Sequence, residues 1–314
     1  MQTRNFAEIL RALADVNQPF TAALTYGLSG LDRQQLAELE KRWPHYPVER
    51  RRNLLQHLNA ASEHNFELDF RDINHIALAD ADSEVRQYAI EGLWEDESPA
   101  LMHKLIHSAQ SDPSPAVRAA ALIELGRFIL LGEYEDIPAE DARLAQDTVL
   151  DILHAEEDTE IHRRALEAIA NCGREGVHEL VREAYEHEDL KMRISAVFAM
   201  GRTCDTVWAP VVLREIDSEV PEMRYEAVRA AGQLELKEAI PHLARLIDET
   251  EDIEILEIAI WALGEIGGEK AQKLLTRIMA QAEAEGNEEI LQAAEEAYHM
   301  ADLPGDFLLF DFEP

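Results

Sequence analysis

His103 and His107 stand four residues apart in SPALMHKLIHSAQ, residues 98–110, the spacing that brings two imidazoles to one side of a helix and within reach of one zinc ion. No cysteine lies near them and no H-E-x-x-H motif completes a ligand set, so the pair reads as two solvent-facing side chains. Cys172 and Cys204 are the two thiols of the chain. They are too few for a disulfide framework and fit a reducing compartment, although comparable positions in neighbouring segments would let them approach. Arg86, Arg118, Arg193 and Arg224 recur at matched positions. They could hold an anionic ligand, but a ladder of ion pairs with aspartates that begin the same helices accounts for them structurally. No G-x-S-x-G, phosphate-binding loop or dinucleotide-binding glycine pattern occurs. The expectation is therefore no enzyme, no metal and no cofactor.

The elements that would position these residues show a period. An apolar residue, usually followed by Arg, recurs at Val85, Val117, Ile161, Met192, Met223 and Ile255, with steps of 32, 44, 31, 31 and 32 residues. The long step contains LLGEYEDIPAEDA, residues 130–142, whose Gly, Pro and acids read as an insertion loop. Four residues after each anchor stands Ala89, Ala121, Ala165, Ala196, Ala227 or Ala259, and eight and nine after it come pairs such as Leu125-Gly126, Met200-Gly201, Ala231-Gly232 and Leu263-Gly264. Positions 0, 4 and 8 share one helical face, and the glycine is expected to turn the chain through a left-handed residue at the helix end. Asp82, Ser114, Asp158, Asp189 and Asp252 precede the anchors by three and read as N-caps, while Val220 breaks the pattern. Amphipathic segments between these helices, with Pro99, Pro210 and Pro241 in their first turns, complete a helical hairpin. One hairpin cannot bury its own apolar stripe, so the hairpins must stack.

The motif D-x-x-V-R-x-x-A-x-x-x-L-G, nearly whole in DSEVRQYAIEGLW (82–94) and SPAVRAAALIELG (114–126), resembles the HEAT repeat, specifically the short HEAT-like repeat of the phycobilisome-lyase type. The resemblance implies an all-α fold, an α-α superhelix: a right-handed, armadillo-like solenoid of stacked helical hairpins. It divides the chain into an N-terminal helical cap with a degenerate repeat (1–69), six HEAT-like repeats (70–285) and a C-terminal capping helix with an acidic, aromatic tail (286–314). A HEAT-like enzyme, deoxyhypusine hydroxylase, holds iron through His-Glu pairs inside inner helices. The matching slots here read Gln87-Tyr88, Ala119-Ala120, Arg163-Arg164, Ile194-Ser195, Tyr225-Glu226 and Glu257-Ile258, and His178-Glu179 and His187-Glu188 fall outside them, which disfavours that activity.

Charge narrows the partners. The chain carries 29 Lys plus Arg against 63 Asp plus Glu, a net −34. Residues 1–60 hold 8 basic and 6 acidic side chains against 21 and 57 in the rest, so the acid lies in the repeats. Such a surface repels phosphate backbones and anionic lipid, which argues against nucleic acid, DNA glycosylases on stacked hairpins included, and against membranes. No uncharged run reaches bilayer length and no signal-peptide core opens the chain, so a soluble, cytoplasmic protein is expected. With 0, 4 and 8 facing inward, positions two and six after the anchor should face the concave side. Plus six gives Glu91, Ile123, Glu167, Phe198, Arg229 and Trp261, and plus two gives Gln87, Ala119, Arg163, Ile194, Tyr225 and Glu257. The candidate binding residues are Tyr88, Trp94, Ile194, Phe198, Tyr225, Arg229 and Trp261, types that dominate protein interfaces, although such rings also fill gaps between neighbouring helices. They point to a non-enzymatic interaction scaffold gripping a protein or peptide with a basic patch. The repeat type leaves an alternative, an accessory subunit resembling phycobilin lyases that handles a tetrapyrrole. Phe307, Leu308, Leu309, Phe310 and Phe312 in the tail either fold back on the last hairpin or support self-association through a neighbour's groove.

Overall fold

The computed structural model describes residues 6–155 and 158–301, so the aromatic tail and its two readings lie outside the described residues. Among those residues there are 18 α-helices and no strand. The chain divides into two compact units, Met1–Ala168 and Ile169–Pro314. The first contains α1 (Phe6–Ala14), α2 (Ala22–Leu28), α3 (Arg33–Arg42), α4 (Val48–His64), α5 (Arg71–Ala77), α6 (Ser83–Glu91), α7 (Pro99–Ser111), α8 (Pro115–Glu133), α9 (Ala139–Ala155) and nearly all of α10 (Thr159–Ile169). The second contains α11 (Val177–Tyr185), α12 (Leu190–Arg202), α13 (Ala209–Glu215), α14 (Pro221–Gln233), α15 (Ile240–Glu249), α16 (Ile253–Ile266), α17 (Gly268–Glu285) and α18 (Glu288–Ala301).

Within each unit the helices pair as hairpins: α5 with α6, α7 with α8, then α11 with α12, α13 with α14, α15 with α16 and α17 with α18. The second helix of each hairpin packs beside the second helix of the next, α4 on α6 on α8 in the first unit and α12 on α14 on α16 on α18 in the second. The 0/4/8 pattern drives this stacking. Each trio, such as Met192/Ala196/Met200, Met223/Ala227/Ala231 or Ile255/Ala259/Leu263, is buried, and none of these residues exceeds 4 % exposure. The last helix repeats the pattern with buried Ile290 and Ala294, so α18 is a further inner helix in phase with the six anchors.

The glycines act differently from the expectation. Gly201, Gly232 and Gly264 lie inside α12, α14 and α16. The left-handed residue comes three positions later, at Cys204 (φ 51°), Glu235 (φ 50°) and Gly267 (φ 62°), with the same offset from Gly132 to Glu135 (φ 62°). What the glycines permit is close approach. A Cβ on Gly201 would stand 2.9 Å from the Ala230 Cα, one on Gly232 3.0 Å from the Ala262 Cα, and one on Gly264 3.0 Å from the Ala297 Cα.

The expected insertion loop is largely helix. α8 runs to Glu133 and α9 begins at Ala139, leaving only 134–138 between them, because the apolar run FILL keeps burying Phe128 and Ile129 past the usual helix end. Asp82, Asp158, Asp189 and Asp252 cap their helices by accepting from the third-residue amide, at 3.2, 3.3, 3.2 and 3.5 Å. Ser114 does not cap α8; Asp112 accepts from the Ser114 amide at 2.9 Å instead. The arginine ladder forms in part. Arg86 grips Asp112 with both ends of its fork, at 2.7 and 2.8 Å, and folds back onto the carbonyls of Asp80 and Ala81. Arg193 donates to the His187 and Glu188 carbonyls and Arg224 to that of Ser218, so the recurring task of this arginine is to clamp the turn before its own helix. In the N-terminal cap the Trp43 indole donates to Asp80 at 2.6 Å and Arg51 donates to the same carboxylate at 3.0 Å, which partners a buried charge on both sides.

Gly232→Ala should destabilise the chain by about 1–3 kcal/mol in urea titration, since the new methyl meets the α16 backbone. Glu235→Gly should stabilise it by about 0.5–1 kcal/mol by removing a left-handed non-glycine residue. For Asp112, burial alone would push the carboxyl up, but the Arg86 fork and the Ser114 amide outweigh it and hold it below the usual range. Its contribution is complete above the ordinary carboxylate range and fades as pH falls through the folded-state value. Asp112→Asn should therefore cost about 1–3 kcal/mol in urea titration at neutral pH and progressively less near pH ~3.

Candidate protein-interaction surface

Five of the seven candidate residues lie in the second unit on three consecutive inner helices: Ile194 and Phe198 on α12, Tyr225 and Arg229 on α14, and Trp261 on α16. Their place follows from the period. With anchor, plus four and plus eight turned into the core, plus two and plus six fall on the opposite edge of the same helix. All five are half-buried, intermediate between core and free surface.

The structure brings the plus-six residues into a row. The Arg229 guanidinium lies over the Phe198 ring, 4.3 Å from its centroid, and pairs with Glu226 one turn earlier on α14. Ring and carboxylate together hold a planar cation in place, and a fixed arginine presents its fork at low entropic cost. The Trp261 indole reaches back over the end of α14, where a Cβ on Gly232 would stand 2.8 Å from its Cζ3. The same glycine thus lets the helices meet and leaves room for the indole. Further along this unit, burial pushes the Glu265 carboxyl up, and the nearby Glu235 charge adds to the shift.

Tyr88 and Trp94 belong to the first unit and are not in this row. Tyr88 is partly buried against the N-terminal core, where its hydroxyl accepts from Gln56 at 2.5 Å and its carbonyl from Asn59 at 2.9 Å; it works chiefly as a packing residue. Trp94 lies just beyond α6 and is 36 % exposed.

His103 and His107 are exposed on α7. His178 lies on α11, edge-on to Trp208 at 5.6 Å and 3.6 Å from Asp205. Cys172 and Cys204 line one cleft of about 580 Å³ between the turns after α10 and α12, both as free thiols. Cys172 is buried with its thiol on the Ile169 carbonyl, and Cys204 is exposed. Among the described residues no group of three or more His, Cys, Asp or Glu is placed to hold a metal ion. A groove along α6, α8 and α10, lined in part by Ile90, Ala116, Ala120 and Glu124, was not among the candidate positions. The signal that marks it is the small-residue run at 116–121, beside Ala119 and Ile123 in the plus-two and plus-six rows.

A family model for HEAT repeats matches residues 74–144 and 209–298. Among solved structures, the CpcE–CpcF complex of phycocyanin lyase from Nostoc sp. is similar over 74% of this chain and 93% of that one, at 16% identity and a TM-score of 0.50. Importin beta is similar over 94% of this chain and 46% of that one, at 16% identity and a TM-score of 0.44. Human deoxyhypusine hydroxylase is similar over 94% and 95% of the two chains, at 18% identity and a TM-score of 0.35. At these identities the likeness concerns the fold. No curated protein matches the sequence. No helix among the described residues is long and apolar enough to cross a membrane.

The Arg229–Phe198 contact is measurable by itself. A double-mutant cycle with Arg229→Met and Phe198→Leu should give a coupling of about 0.5–1 kcal/mol in urea unfolding. A coupling of zero would mean that the stacked geometry contributes nothing.

Proposed function

This chain belongs to the HEAT-repeat family, and we propose that it is a non-enzymatic protein-interaction scaffold that grips a protein or peptide on the face carrying Ile194, Phe198, Tyr225, Arg229 and Trp261. The observation that carries this reading is the row itself. Three successive inner helices place Phe, Arg and Trp at the same register position, with the arginine held by a ring and a carboxylate rather than released to solvent. Aromatic and arginine side chains that are already ordered lose little entropy on association and so serve as anchors. A net charge of −34 favours a partner with a basic patch and an association that weakens as salt rises. The same charge disfavours nucleic acid and anionic membranes, and the two free cysteines suit the cytoplasm.

The second reading, an accessory subunit handling a tetrapyrrole, draws on the likeness in fold to phycocyanin lyase. Visible absorption of the purified chain separates the two, since a bound bilin absorbs where the polypeptide does not.

The test immobilises the full chain in native lysate and compares wild type with Tyr225→Ala, Arg229→Ala and Trp261→Ala. Each substitution should deplete the same bound protein by at least about fivefold, with helix content by circular dichroism unchanged. Retention should fall between about 50 and about 500 mM salt. Loss of helix content in step with loss of binding would assign these rings to packing instead.

A further inference from the structure

The first unit offers a different surface at the same register positions. α6, α8 and α10 border a groove of about 230 Å³, below the roughly 300–1,000 Å³ of sites for whole small molecules and about the room of one side chain. Its floor is apolar and shallow because α8 spends alanine there: Ala116, Ala119 and Ala120 line it, and Ile123 stands over it 48 % exposed. A large aliphatic residue left half in water beside a groove is a surface with something to gain from cover.

The rim is anionic. Glu91 is exposed and accepts one hydrogen bond, from Gln87 at 2.9 Å. Glu124 is more enclosed and pairs with Arg127 at 3.2 Å. Burial pushes the Glu124 carboxyl up, Arg127 pulls it back, and the Glu91 charge adds to the push, so the exposed Glu91 carboxylate repels the more enclosed one of Glu124. At the α10 side, Glu160 is engaged by Arg163 and Arg164, and Arg164 also by Glu167, which closes that edge with satisfied ion pairs. The open charge of the groove is thus the Glu91–Glu124 side.

We propose that this groove receives one lysine side chain of a protein partner, its four-carbon stem lying on Ala116, Ala119, Ala120 and Ile123 and its ammonium between Glu91 and Glu124. A compact ammonium has three donors for carboxylate lone pairs that Gln87 and Arg127 leave open, and a long stem covers apolar surface while its head stays at the rim. The site goes beyond the aromatic row of the second unit and stands without it.

The experiment titrates the full chain, labelled at isoleucine δ1 methyls, with n-butylammonium, which copies the lysine stem and head. Ammonium chloride at equal ionic strength and 1-butanol serve as controls. The Ile123 methyl should shift saturably with n-butylammonium at about millimolar concentration, not with ammonium, and at least about fivefold more weakly with butanol. Glu91→Gln and Glu124→Gln should each weaken the response by about two- to fivefold. If Glu124→Gln fails to fold, the exposed Glu91→Gln decides. An equal response to ammonium would mean diffuse charge, an equal response to butanol an uncharged apolar patch, and an unmoved Ile123 methyl no site; each overturns the proposal. Because the probe is a small cation, the outcome is independent of whether a partner is captured on α12, α14 and α16.

Discussion

The architecture depends on how closely one inner helix can approach the next. In the second unit that distance is set where Gly201, Gly232 and Gly264 face Ala230, Ala262 and Ala297, with no room for a Cβ on the glycine side. Close approach brings the buried trios of neighbouring helices into dispersion contact. It also brings the plus-six side chains of adjacent helices within reach of one another. The guanidinium of Arg229 can lie on Phe198 because α12 and α14 are this close.

The fold was legible because it is written several times. A 0/4/8 apolar face with Ala at plus four has one stable use, and its recurrence from Val85 to Ile255 made the stacked-hairpin reading secure. The role of the glycine was misread. A Gly at the end of an apolar run looks the same whether it turns the chain or admits a neighbour. In the folded chain the turn falls at Cys204, Glu235 and Gly267. Glu135 and Glu235 hold left-handed backbone without being glycine, so no residue type signalled those turns. The 130–142 segment misled for a related reason. Its Gly132 suggested a break, yet it sits inside α8 against Ala142 of the next helix.

The candidate site was legible as a register but not as a set of contacts. Period and phase correctly put Phe198, Arg229 and Trp261 in equivalent places on successive helices. Tyr88 stands one position past the plus-two slot that Tyr225 fills, so the register already separates the two, and the Tyr88 hydroxyl meets Gln56. The arginine after each anchor was expected to pair with acids, but Arg193 and Arg224 turn to carbonyls, a partner that every residue type supplies and that sequence therefore cannot mark.

The repeat divides its positions between two tasks. Anchor, plus four, plus eight and the glycine are committed to stacking, and the following arginine to clamping its turn. Plus two and plus six lie off that face, and all of them but Ala119 are exposed or half-buried. In the second unit those slots carry large rings and an ordered arginine, and in the first they carry Gln87, Ala119, Glu91 and Ile123 around an acid-rimmed groove. Surfaces of such different chemistry on one repeated frame are what independent variation of the uncommitted positions produces. The chemistry that the two units expose is accordingly set by these few side chains and not by the frame that holds them.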